Sequence, residues 1–131
     1  MDLKDNNYWK DKLTKEQFEV CRLKGTEAAF SGDLYDNHED GTYYCVACNK
    51  PLFTSENKFD SGSGWPSFSE AMVKNNVTLQ DDNSHGMQRT EVICSNCGSH
   101  LGHLFDDGPK EMTGLRYCIN SIALKFVPKL K

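Results

Sequence analysis

The longest extended pattern in the chain lies near its end, from Leu115 to Val127, bounded by Gly114 and Pro128. This stretch is rich in aromatic and branched side chains between turn residues, which predicts a strand. A period of two puts Arg116, Cys118 and Asn120 on one face, continuing into Ile122, Leu124 and Phe126. Tyr117, Ile119, Ser121 and Ala123 fall on the other face. A helical signature occupies Thr14 to Lys24. Thr14 with Gln17 forms a capping box, Leu13 with Phe18 a hydrophobic staple, and Gly25 supplies the stop. Cys21 lies on the Phe18 face of that helix, as a small buried apolar residue or as a helper thiol. Further strands are predicted over Thr42 to Val46, with Leu52 and Phe53 as the return, and over Gly86 to Ile93. The segments 25–32 and 36–41 carry connection signals.

Composition places these elements in one folded unit. The 131 residues are the size of a single ordinary domain, spanning 1–131, with no low-complexity tract or linker. At 37% hydrophobic and 26% charged residues the chain can bury a core. A formal net charge of -4 argues against nucleic acid or an anionic membrane surface as the main partner. No apolar run approaches the roughly 20 residues of a membrane span, and the N-terminal segment is polar rather than signal-like. The expectation is a soluble, cytoplasmic protein with no nucleic-acid or membrane partner, monomeric by default.

Four of the six cysteines form two Cys-x-x-Cys pairs, Cys45-Val-Ala-Cys48 and Cys94-Ser-Asn-Cys97. Each pair predicts a knuckle, two thiolates on a tight turn at a hairpin tip. Two knuckles supply four sulfur ligands, the set that suits one structural zinc ion. A disulfide framework fits less well, because each pair would close a very small loop and no secretory signal is present. A closed four-cysteine site has no open coordination position, so the metal would hold the fold together and do no chemistry.

Cys118 stands in line with a cation and an amide. Neighbours at i and i+2 on a strand are about 7 Å apart, where an effective dielectric of about 20 gives roughly 2 kcal/mol of attraction between guanidinium and thiolate. Arg116 is thereby expected to lower the Cys118 pKa toward neutrality, as a nucleophilic thiol requires. Two other segments invite chemistry. In Ser61-Gly-Ser-Gly-Trp-Pro-Ser-Phe68 the glycines and Pro66 suggest a loop presenting the Trp65 indole, either to a ligand or as a cap on the core. In His100-Leu-Gly-His103 the two histidines read as metal ligands, as a general acid with its helper, or as satisfied surface groups. Strict strand geometry separates them onto opposite faces, whereas a bulge at Gly102 would bring them to one side.

Taken together, Gly25-Thr-Glu27, Lys58 to Phe68, His85-Gly-Met-Gln-Arg-Thr-Glu91, His100-Leu-Gly-His103, Asp107-Gly-Pro109 and Arg116-Tyr-Cys-Ile-Asn-Ser121 resemble the signature segments of B-type methionine sulfoxide reductases. The resemblance runs from about Trp9 to Val127, and zinc-containing members of that family carry the same two Cys-x-x-Cys pairs. It implies a mainly β fold, two antiparallel sheets packed as a small sandwich with short N-terminal helices and the four-cysteine zinc site. It further implies reduction of methionine-R-sulfoxide in peptides and proteins, with thioredoxin or a similar reductant as electron donor. By the same match Cys118 is the nucleophile, His103 assisted by His100 supplies the proton, and Arg116, Asp107 and Asn120 position groups around the sulfur. Trp65 holds the substrate methyl.

One departure stands out: the family's usual resolving cysteine is replaced by Ser63. The sulfenic acid left on Cys118 is then resolved either by Cys21, the route favoured here because it is the other thiol outside the predicted zinc site and an N-terminal helix shifts more cheaply than a core strand, or by direct attack of the external reductant. Two other classes compete with the reductase reading. One is a non-catalytic, zinc-stabilised, β-rich protein-binding module, and the other a zinc hydrolase using His100 and His103 as ligands.

Overall fold

The computed structural model describes residues 6–72, 74–83, 86 and 88–129. Two short helices open the chain, α1 (Asn6–Lys12) and α2 (Lys15–Cys21). Thr14 caps α2 as its spacing predicts: its hydroxyl accepts from the Gln17 amide, and the Gln17 side chain accepts from the Thr14 amide. The helix is shorter than the sequence suggests. It ends at Cys21, and the left-handed residue beyond it is Lys24 (φ 61°) rather than Gly25. Gly25 contributes differently, donating its amide to the Glu19 carbonyl at 2.9 Å from a position where a Cβ would stand 3.0 Å from that oxygen.

Strands joined by loops and short 3-10 turns make up the rest of the described residues. β1 (Gly41–Cys45) and β2 (Pro51–Thr54) form the first hairpin, and the short strands β3 (Lys58–Phe59) and β4 (Ser67–Phe68) follow. Then come β5 (Val77–Asp82), β6 (Arg89–Cys94), β7 (His100–Phe105), β8 (Arg116–Ile119) and β9 (Leu124–Pro128). They build two antiparallel sheets, one ordered β2-β1-β9 and the other β3-β4-β8-β7-β6-β5. Aromatic side chains join the sheets. Phe53 of β2 stacks on Phe68 of β4 at 4.4 Å between ring centroids, and Tyr43 of β1 meets the same ring edge-on at 5.1 Å. All three are fully buried. The mainly β, two-sheet architecture therefore follows the expectation.

The predicted strand from Leu115 to Val127 is not continuous. β8 stops at Ile119, a single 3-10 turn spans Ser121–Ala123, and β9 leaves in the other sheet. Local side chains and backbone capture the groups that a ladder would have used. Asn120 donates both its amide and its Nδ2 to the Leu101 carbonyl, the Ser121 hydroxyl accepts from Leu34, and Glu27 Oε1 accepts from the Ile122 amide. Arg116 and Cys118 therefore share no strand face with Leu124 and Phe126, and Phe126 instead packs on Tyr43 at 4.8 Å.

Both knuckles take the predicted form at hairpin tips. In the first, Cys45 N–H donates to the Lys50 carbonyl and Asn49 N–H to the Cys45 carbonyl, with Asn49 at φ 66°. The second repeats this with Cys94, Ser99 and Gly98 (φ 77°). A left-handed residue just after the second cysteine closes each turn, a place that asparagine and glycine fill at least cost. The strand entering the second knuckle starts at Arg89 rather than Gly86, and His85 and Met87 of the signature segment lie outside the described residues.

Candidate active site

β8 lies between β4 and β7, which places Cys118 opposite Ser67 on one side and His103 on the other. Close approach of β7 is possible because Gly102 has no side chain: a Cβ there would stand 1.9 Å from the Cys118 carbonyl oxygen. The same glycine borders the bulge that its sequence context allowed. Val92 pairs with Gly102 and Ile93 with His100, leaving Leu101 as the extra residue. The bulge brings His100 and His103 together, with ring centroids 5.4 Å apart.

The two histidines have different surroundings. His100 is buried, its Nδ1 2.6 Å from Glu91 Oε2, and Glu91 is itself buried and 3.4 Å from Lys24 Nζ. Burial pushes the His100 pKa down, while the Glu91 carboxylate opposes that shift. His103 lies at the wall of a cavity of about 190 Å³ that also holds Trp65, Phe105, Arg116, Cys118 and Asn120. That volume is below the ~300–1,000 Å³ of sites that enclose drug-sized ligands, and suits a single side chain. His103 Nε2 stands 2.8 Å from Asp82 Oδ2, and the same oxygen accepts from the Arg89 guanidinium at 3.3 Å. Neither histidine belongs to the cysteine cluster.

Arg116 is fixed from two sides. Its Nε donates to Asp107 Oδ1 at 2.8 Å and an Nη to Oδ2 at 3.3 Å, while its guanidinium carbon lies 4.5 Å from the centre of the Phe105 ring. The guanidinium holds the Asp107 carboxyl below its ordinary range. Asp107 itself is exposed and does not line the cavity. Trp65 is tethered by its indole N–H, which donates to the Glu27 carbonyl at 2.9 Å. Its loop turns through Gly62 and Gly64, both at positive φ, and Gly64 accepts from Phe30 at 2.7 Å. Asn120 uses both ends of its amide, accepting from the Glu27 N–H at 3.0 Å and donating to Leu101 at 3.0 Å.

Burial reverses the expected direction of the Cys118 pKa. Arg116 pulls the thiol down as anticipated, joined by a hydrogen bond from Ser63, yet removal from water pushes it further the other way. Cys21 lies apart from this cavity. It is buried against Cys97 and Ser99 with its pKa pushed up to about 12, mainly by burial.

The remaining four cysteines gather as their spacing predicts. Their sulfurs all lie within 4.8 Å of one another, with Cys45 to Cys97 at 3.7 Å and Cys48 to Cys94 at 3.5 Å. Four ligands at ~2.3 Å from a tetrahedral ion stand ~3.8 Å apart, so these sulfurs fit a closed metal centre. Because β1 and β2 belong to one sheet and β6 and β7 to the other, the cluster links both sheets.

The family model described as the SelR domain matches residues 13–128. The chain belongs to the SelR family. Similar curated relatives include the peptide methionine sulfoxide reductase MsrB of Leptospira interrogans serogroup Icterohaemorrhagiae serovar Lai. It is 57% identical over 94% of this chain and 93% of its own length. The protein of the same name from Methanosarcina mazei is 57% identical over 94% of this chain and 87% of its own. Among solved structures, the crystal structure of the Mis18 'Yippee-like' domain is similar with a TM-score of 0.56 at 17% identity. It covers 71% of this chain and 100% of that one, a likeness of fold alone.

Sequence reasoning gave no role to Asp82 or to the side chains of Arg89, Glu91 and Glu27. Three of these sit in the quoted signature segments, which marked the neighbourhood without saying what each side chain touches. Asp82 lies in a strand that the apolar pattern hides, because Thr78 to Asp81 are exposed.

Proposed function

We propose that the protein reduces methionine-R-sulfoxide in peptides and proteins to methionine, with Cys118 as nucleophile. The observation that carries this reading is the cavity in which Cys118 faces His103 beside Trp65, in a chain whose curated relatives are named peptide methionine sulfoxide reductases. The substrate methyl rests on the indole, whose tether to Glu27 keeps it in place. Cys118 sulfur attacks the sulfoxide sulfur, and His103 protonates the departing oxygen. The oxygen passes to Cys118, so a thiol and a sulfoxide become a sulfenic acid and a thioether. Two electrons move from cysteine sulfur to substrate sulfur, and the proton lost by the thiol balances the one the oxygen gains. Arg116, held by Asp107, stabilises the thiolate as it forms. Asn120 fixes the floor of the cavity, and His100 supports the His103 ring from behind.

External dithiol, thioredoxin or a similar reductant, attacks the sulfenic acid directly. One thiol displaces water to form a mixed disulfide, and the second releases Cys118 as a thiol with a disulfide as the by-product. The burial of Cys21 beside Cys97, away from the cavity, supports this route over an internal disulfide. The metal of the four-cysteine cluster is zinc, held by Cys45, Cys48, Cys94 and Cys97; it supplies structure and no step of the reaction. Four metal-binding thiolates and two unpaired thiols, Cys21 and Cys118, suit a reducing compartment such as the cytoplasm, where this protein repairs oxidised methionine.

The test is dithiothreitol-driven reduction of the separated R and S epimers of an N-blocked methionine sulfoxide, with Cys118→Ser as control. Turnover of the R epimer alone, abolished in the variant, is expected. A folded, metal-loaded sample that turns over neither epimer would overturn the reading in favour of a binding module.

A further inference from the structure

Among the described residues His103 is the one histidine that lines the cavity, and just one of its ring nitrogens has a partner there: Nε2, at 2.8 Å from Asp82 Oδ2. Asp82 ends β5 and faces Arg89 directly across the β5/β6 ladder, so its carboxylate spans β6 to meet a ring on β7. Arg89 donates to the same oxygen at 3.3 Å, and its own side chain lines the cavity. None of these groups is a loose surface pair: the side chains of His103, Asp82 and Arg89 are 12%, 18% and 23% exposed. A carboxylate that accepts from one imidazole nitrogen fixes which nitrogen carries the proton in the neutral ring and leaves the other for the reacting atoms.

We propose that Asp82, anchored by Arg89, is the positioning residue for His103, holding the ring with Nε2 protonated so that Nδ1 delivers the proton to the sulfoxide oxygen. The proposal rests on the reductase reading and on His103 as donor. In the step itself Nδ1 takes up the proton that the Cys118 thiol loses, the Nδ1–H bond of the resulting imidazolium then breaks as an O–H bond forms on the sulfoxide oxygen, and the ring returns to its neutral, Nε2-protonated tautomer. Asp82 keeps its charge throughout.

Two measurements on the zinc-loaded full chain test it. The first is long-range ¹H–¹⁵N NMR of the imidazole resonances, assigned with His103→Ala. The expected result is an Nε2-protonated His103 in the wild type and a mixture of tautomers in Asp82→Ala. The second is a single-turnover measurement of sulfenic acid formation with the R epimer in the wild type, Asp82→Ala, His103→Ala and the double variant. Asp82→Ala is expected to lose about 10-fold or more of the ~10²–10⁴ that a positioned proton donor supplies. In the His103→Ala background the same change is expected to cost nothing further, because a residue acting through His103 has nothing left to position. A merely structural role would leave the tautomer alone and would slow both backgrounds equally; either result overturns the proposal. A His103→Ala variant with the wild-type rate would overturn the donor role and this assignment with it. Failure of the wild type to reduce the R epimer would instead be the failure of the reductase reading.

Discussion

The carbonyl oxygen of Cys118 occupies the place where a side chain on Gly102 would begin. The backbone of β8, and with it the thiol, is set by the absence of one carbon on the neighbouring strand. Gly102→Ala is expected to push β7 and β8 apart and to destabilise the protein by about 1–3 kcal/mol, as overpacking does. Chemical unfolding and R-epimer turnover check this together. An alanine variant with wild-type stability and rate would contradict the contact.

The direction of the Cys118 pKa makes a second prediction. A buried thiol pushed above its ordinary range is mostly protonated at neutral pH, so its alkylation should be slower than that of a free cysteine and should keep rising beyond about pH 8.5. Arg116→Met, which removes the cation that pulls the other way, should move the curve further up. The sign for stability follows: folding favours the protonated form, so the contribution is whole below the ordinary thiol range and is lost as pH rises through the folded value. An alkylation midpoint at or below neutrality would contradict this account.

Cys21→Ala should leave dithiol-driven turnover close to the wild-type rate. After one equivalent of R epimer without reductant, mass spectrometry should find a sulfenic acid on Cys118 in both proteins. A disulfide between Cys21 and Cys118 in the wild type would contradict direct attack by the reductant.

Stripping the metal should unfold the protein. Structural zinc supplies about 10–16 kcal/mol in zinc-finger peptides, comparable to the ~5–15 kcal/mol by which domains are stable at all. One zinc per chain is expected by elemental analysis, with loss of the cooperative thermal transition after chelation or in Cys94→Ser. A stripped sample that melts as before would remove the cluster from the account of stability.

How much of this was legible in the chain depends on how local each cause is. The knuckles were readable because a Cys-x-x-Cys turn is closed by its own next few residues, and the Thr14 cap because both of its bonds lie within one turn. The pairing of His100 with His103 hung on a bulge that Gly102 permitted and that only the strands on either side could decide. The break after Ile119 was hidden, since its causes, Glu27, Leu34 and Leu101, are remote in sequence. The direction of the Cys118 pKa was hidden for a related reason. The charge of Arg116 can be read from a strand pattern, whereas the depth at which a thiol is buried cannot.

The order β2-β1-β9 in the smaller sheet has a consequence for how the protein is made. β1 pairs along its length with the sequence-distant strand β9, Gly41 with Pro128 through to Cys45 with Leu124, and Phe126 closes the aromatic cluster around Tyr43. Such distant pairing is slow to form, because the intervening chain must be ordered before the contact rewards it. A chain emerging from the ribosome can make its first hairpin early, but β1 keeps an open edge until β9 has been made. Translation that stops short of Leu124 leaves that edge free to pair with another molecule, so an incomplete copy of this protein is an aggregation hazard as well as an inactive one.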